Sequence, residues 1–103
     1  MRANLRRFNC RTNVYHERAR LFHEMHRDNE ALLEIEKAPI DAEMGKHWAL
    51  VLDAKFFRLY LLAKNNHPIG ADQLNELPGD YVYIMPKGEL FSKDDLNRLA
   101  TRE

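Results

Sequence analysis

The chain has 103 residues, of which 45% are hydrophobic and 31% are charged. This length predicts one small domain over residues 1–103, and the apolar content excludes an intrinsically disordered chain. Sixteen basic residues balance sixteen acidic ones, so no bulk charge attracts the chain to nucleic acid or to an anionic membrane. The single cysteine excludes an intrachain disulfide and favours a reducing compartment, which we interpret as the cytoplasm.

Residues 1–12 form a basic segment that contains no acidic residue. Its four arginines are Arg2, Arg6, Arg7 and Arg11. Because arginine side chains neutralise phosphates, one hypothesis makes this segment an arm that binds nucleic acid. The alternative is a basic chain end or an edge strand of a sheet.

A helical pattern follows from about residue 14 to residue 37. Apolar residues at helical spacing form one stripe, and this stripe predicts the buried face. The stripe consists of Val14, Leu21, Met25 and Leu32. The opposite face is polar and is predicted to meet solvent; it carries His16, Arg20, His23, Arg27 and Glu34. Asp28 is a candidate internal N-cap, so the pattern allows two helices instead of one.

Three residues of this helical pattern are candidate zinc ligands. His23, His26 and Glu30 are three and four positions apart, a spacing that makes them neighbours on a helix. The competing interpretation is that they are solvated side chains of a polar face, and we predict that the protein has no cofactor.

A second helix is predicted from Asp41, a candidate N-cap, to about Lys64, and it is apolar on two sides. Its second apolar ridge consists of Leu50, Ala54, Phe57 and Leu61. Since monomers avoid exposing such a patch, the ridge is either covered within the domain or binds another protein or a second copy. Residues 13–66 are thus predicted to form an antiparallel helical hairpin.

Residues 67–103 predict a short helix, a β-hairpin and a terminal helix, which makes the fold class α+β. The hairpin pairs residues 81–85 with residues 89–91, and Ser92 caps the last helix in a capping box with Asp95. Strand alternation places Tyr81 and Tyr83 on one face and Val82 and Ile84 on the other. We predict that the face with Val82 and Ile84 covers the helices. The two tyrosines would then be exposed and available to bind a partner.

No cluster of residues predicts catalysis. Cys10 lies in a basic segment that is expected to lower its pKa, but the sequence places no histidine or carboxylate beside it. The apolar stretch 48–63 is interrupted by charged residues, so no membrane-spanning segment is expected. We predict a small regulatory or adaptor protein that is not an enzyme and acts by protein–protein contact. Its partner is either another protein or a second copy of the chain, which would make it a homodimer. The predicted contact residues are Leu50, Ala54, Phe57, Leu61, Tyr81 and Tyr83. The alternative is a nucleic-acid-binding regulator that uses the arginine arm.

Overall fold

A computed structural model describes residues 10–101 of the chain. Arg2, Arg6 and Arg7 of the predicted arm lie outside the described residues. Arg11, the fourth arginine, is the first residue of a helix. The hypothesis of a nucleic-acid-binding arm therefore stays a prediction.

The described residues form helices and a two-stranded antiparallel hairpin, which confirms the α+β class. In chain order the elements are α1 (Arg11–Glu24), α2 (Asp28–Ile35), α3 (Ile40–Glu43), α4 (Trp48–Lys64), α5 (Ala71–Asn75), β1 (Val82–Ile84), β2 (Leu90–Ser92) and α6 (Lys93–Thr101). The chain divides into two compact units, of which the first ends at Arg58 and the second begins at Leu59. The division falls inside α4.

The first predicted helix is interrupted after α1. His26 adopts a left-handed backbone conformation with φ of 60°, and the Arg27 amide donates to the Phe22 carbonyl at 2.9 Å. This is the pattern of hydrogen bonds that ends a helix at a left-handed residue. The split near Asp28, which the sequence allows, is therefore present, but Arg27 and not Asp28 occupies the N-cap position of α2.

The second predicted helix starts later than the sequence suggests, so its predicted start at Asp41 is wrong. α3 is a single turn, and α4 begins only at Trp48. Gly45 lies in the turn between them. Glycine lowers helix stability by about 1 kcal/mol relative to alanine, which favours a break at this position.

The buried face of α1 is the reverse of the predicted one. Thr12, His16 and Ala19 are buried, whereas Leu21 and Met25 are exposed. The rings of His16 and His23 lie 5.5 Å and 5.8 Å from the Phe57 ring. The carbon atoms of an imidazole ring are apolar, so the two histidine rings pack against the aromatic side chain of Phe57.

The burial of the β-hairpin in the second unit also reverses the prediction. Tyr83 is 2% exposed and Ile84 is 62% exposed, so the interpretation that Val82 and Ile84 cover the helices is wrong. Tyr83 pairs with Phe91 across the strands, and the Phe91 ring lies 5.4 Å from the Tyr60 ring of α4. Opposed residues share a face, and aromatic rings bury more apolar area than valine or isoleucine.

The predicted cap of α6 is confirmed. The Asp95 amide donates to Ser92 Oγ at 3.2 Å, and the Ser92 amide donates to Asp95 Oδ2 at 2.9 Å. These reciprocal bonds form a capping box in which aspartate replaces the usual glutamate. Leu96, in the next turn of the helix, is fully buried.

Acid pH is expected to destabilise the protein through His16. Burial lowers the pKa of His16 from 6.5 to about 3, and the positive charge of Arg20 lowers it further. Between these values the unfolded chain binds a proton that the folded chain excludes. The free energy of unfolding therefore falls by about 1.4 kcal/mol for each pH unit below about 6.5.

Denaturant unfolding of the wild type and of His16→Gln at several pH values measures this contribution. Other groups titrate in both proteins, so the difference between the two slopes belongs to His16. Equal slopes in the two proteins would contradict the assignment.

Loss of the α6 cap is expected to destabilise the protein modestly. Ser92→Ala removes the acceptor of the Asp95 amide and should lower the free energy of unfolding by about 1 kcal/mol. Ser92→Thr retains a hydroxyl and serves as the matched control. Chemical denaturation of both variants checks the prediction, which is wrong if they are equally stable.

Candidate functional site

The outward face of α1 exposes an apolar stripe, which we call the α1 outer stripe. It consists of Val14, Leu21 and Met25, which follow one another at helical spacing on the face opposite His16. Leu21 is 61% exposed and Met25 is 54% exposed, and Leu33 of α2 is 66% exposed. Single exposed apolar residues are common, but a contiguous set of them is typical of an interaction surface.

An open groove of about 390 Å³ runs beside this stripe in the first unit. Its lining consists of Arg18, Leu21, Phe22, Met25 and Glu34. Arg18 Nη1 and Lys37 Nζ each lie 3.3 Å from the Glu34 carboxylate. The groove therefore combines an apolar surface with charged groups that are fixed in place.

The charges around the groove are unevenly compensated. The cations Arg18 and Lys37 pair with Glu34, and Arg27 pairs with Glu30. On the α1 flank of the stripe, Glu17 and Glu24 are exposed, and neither forms an ion pair with another residue in the range 10–101. Glu17 and Glu24 outnumber Arg20, the half-buried cation that lies between them on this flank, so the flank itself carries a negative charge.

A second group of functional side chains lies at the start of α1. Cys10, Glu43 and His47 each offer one ligand atom, and these three atoms lie within 4.8 Å of one another. We call this group the Cys10 cluster. Cys10 immediately precedes α1, Glu43 ends α3, and His47 immediately precedes α4. The His47 amide donates to the Glu43 carbonyl at 2.8 Å, which keeps these two residues on one turn.

Glu43 closes the amino end of α1. Its Oε2 accepts the Arg11 amide at 2.9 Å, and its Oε1 accepts the Thr12 amide at 2.6 Å. The Cys10 thiol donates to Oε1 at 3.6 Å. The first amides of a helix have no partner within the helix, and here a carboxylate from more than 30 positions away satisfies two of them.

The Glu43 carboxylate is strongly acidic and the Cys10 thiol is not. Burial raises the pKa of Glu43, but hydrogen bonds from Thr12 and Arg11 outweigh burial and hold that pKa at about 2. Burial raises the pKa of Cys10, and the charge of Glu43 raises it further. The expectation that the basic segment lowers the Cys10 pKa is therefore wrong, because the carboxylate beside the thiol was not visible in the sequence.

The predicted contact residues are largely inside the protein. Ala54, Phe57 and Leu61 are fully buried, so the hypothesis that this ridge is an exposed interface is wrong for them. The alternative, that the ridge is covered within the chain, is confirmed at these positions. Leu50 and Tyr81 are half-buried, and Tyr83 is buried, which removes the predicted tyrosine face as a free surface.

The predicted histidine ligands do not converge. His23 Nδ1 donates to Asp28 Oδ1 at 2.7 Å, whereas Glu30 pairs with Arg27. His26 is the exposed left-handed residue that ends α1. Among the histidine, cysteine, aspartate and glutamate side chains of residues 10–101, those of the Cys10 cluster lie close enough together to share one metal ion. The four-residue separation of Glu43 and His47 is the sequence signal that points to it.

Comparison with known proteins gives no relative: the chain matches no protein-family model, no curated protein and no solved structure. None of the helices within residues 10–101 has the length and apolar character needed to cross a membrane. The function proposed below therefore rests on the surfaces of the chain itself.

Proposed function

We propose that the protein is an adaptor or regulator that binds a partner protein, and that it holds a basic amphipathic helix of that partner along the α1 outer stripe. The observation that carries this proposal is the exposure of Leu21 and Met25 beside an open groove. Helices recognise such surfaces through apolar residues spaced three and four positions apart. The activity is a binding activity without a chemical step, in a reducing compartment such as the cytoplasm.

The charge of the groove supports a basic partner. Glu17 and Glu24 border the stripe and outnumber the half-buried Arg20 between them, whereas Arg18, Lys37 and Arg27 pair with Glu34 and Glu30. Lysine or arginine residues beside the apolar face of a partner helix would compensate the two free carboxylates. Such complementarity speeds association and disfavours acidic partners.

A second copy of the chain suits this surface less well. In an antiparallel pair of α1 helices, the flank that carries Glu17 and Glu24 faces the same flank of the other copy, and like charges oppose each other. In a parallel pair, that flank faces the one that carries Phe22 and Arg18, and Arg18 is already paired with Glu34. Because neither arrangement supplies an unpaired basic residue to the carboxylates, the proposal commits to a different protein.

Binding of designed helical peptides tests this function. Two labelled peptides share one leucine stripe, and one carries lysines beside it where the other carries glutamates. Fluorescence anisotropy should show that the lysine peptide binds the wild type more tightly. Leu21→Gln combined with Met25→Gln should weaken that binding at least about tenfold, which corresponds to 1.4 kcal/mol.

Three controls make the peptide experiment decisive. The Leu21→Gln and Met25→Gln changes should alter the free energy of unfolding by only about 0.5 kcal/mol, because both side chains are exposed. Leu90→Gln, at an exposed position of β2, should leave binding unchanged. Glu17→Gln with Glu24→Gln should abolish the preference for lysine. The proposal is overturned if the wild type does not bind the lysine peptide, or if Leu90→Gln weakens binding as much as the Leu21→Gln, Met25→Gln variant does. It is also overturned if light scattering shows a dimer that Leu21→Gln dissociates.

A further inference from the structure

The Cys10 cluster contains three different metal-ligand types brought together from separate parts of the chain. A thiol, a carboxylate and an imidazole converge with their ligand atoms within 4.8 Å. Sulfur, nitrogen and oxygen are the three donors that zinc accepts in proteins. Magnesium and calcium prefer oxygen ligands alone, so this donor set favours a transition metal.

The spacing of the cluster fits a tetrahedral zinc ion. Typical bond lengths of about 2.3 Å to sulfur and about 2.1 Å to oxygen, at the tetrahedral angle, separate these two ligands by about 3.6 Å. The observed distance from Cys10 Sγ to Glu43 Oε1 is 3.6 Å. The separation of the sulfur and the oxygen therefore matches the edge of a zinc tetrahedron, and it is also the length of the hydrogen bond that the thiol donates.

The surroundings of the cluster fix its ligands and balance the charge of the ion. Glu43 is held by the Arg11 and Thr12 amides, as a metal-ligating carboxylate is commonly held by outer hydrogen bonds. Cys10 is fully buried. A thiolate, a carboxylate and a neutral imidazole together carry two negative charges, which a divalent cation neutralises.

We infer that the protein binds one Zn²⁺ ion through Cys10 Sγ, a Glu43 carboxylate oxygen and a His47 imidazole nitrogen. On binding, the thiol proton passes to solvent and a zinc–sulfur bond forms in its place. The fourth corner of the tetrahedron is left to water or to an external ligand. The ion joins the start of α1 to the turn between α3 and α4, so it stabilises the first unit of the chain.

Metal titration of the full-length, reduced and tag-free protein tests this site. Isothermal titration calorimetry with Zn²⁺ should give one ion per chain. Co²⁺, used as a spectroscopic substitute, should give the visible spectrum of a tetrahedral site and a sulfur-to-cobalt charge-transfer band. His47→Ala should weaken zinc binding at least about 100-fold, since it removes one of three ligands while Cys10 and the Glu43 cap remain. His67→Ala, an exposed histidine outside the cluster, is the matched control and should bind as the wild type does.

Further variants and a stability measurement keep the outcome unambiguous. Cys10→Ser should abolish the charge-transfer band, and circular dichroism shows whether each variant is folded. Saturating Zn²⁺ should raise the melting temperature of the wild type but not that of His47→Ala. The assignment is overturned if the wild type binds no zinc, if His67→Ala weakens binding as much as His47→Ala, or if bound cobalt shows no sulfur band. Because the peptide surface lies at Leu21 and Met25, failure of zinc binding leaves the adaptor proposal standing.

Discussion

The first unit depends on the hydrogen bonds that the first amides of α1 donate to the Glu43 carboxylate. Cys10, the residue at the N-cap position of α1, makes no side-chain capping bond, so the helix has no cap of its own. Glu43 satisfies the Arg11 and Thr12 amides instead. Thr12 is fully buried, and an unpaired buried amide costs about 1–3 kcal/mol, so this remote carboxylate stabilises the start of α1. Glu43 thus anchors the start of α1, whose buried side carries Thr12, His16 and Ala19.

That orientation explains why the chain has an apolar surface to offer a partner. The face of α1 that carries Thr12, His16 and Ala19 is used internally. The face that carries the longest aliphatic side chains is consequently the one left outside. The molecule thus places polar imidazole against Phe57 and leaves Leu21 and Met25 exposed, which is the observation that the adaptor proposal uses.

Local signals in the sequence predicted local structure well, and contacts between distant segments could not be predicted in the same way. The capping box at Ser92, the hairpin and the break at Asp28 follow from residues close together in the chain. Hydrophobic periodicity located the helices but assigned the wrong face to α1. The pattern assumes that apolar residues are buried and that histidine is exposed. The same assumption failed in β1, where Tyr83 is buried. Its ring removes a large apolar area from water, and this outweighs the presence of a polar hydroxyl. The Cys10 cluster joins positions more than 30 residues apart, and no periodic pattern reports such a contact.

The long-range cap also has a consequence for the order in which the chain folds. Thr12 and Glu43 are separated by 31 positions, and closing a loop of that length costs about 3 kcal/mol of chain entropy. During synthesis, α1 is translated before its capping residue. We expect the first turn of α1 to be completed only after the segment from α2 to α3 has brought the Glu43 carboxylate into place. An interaction that forms after the transition state governs the unfolding rate more than the folding rate, so loss of this carboxylate should speed unfolding more than it slows folding.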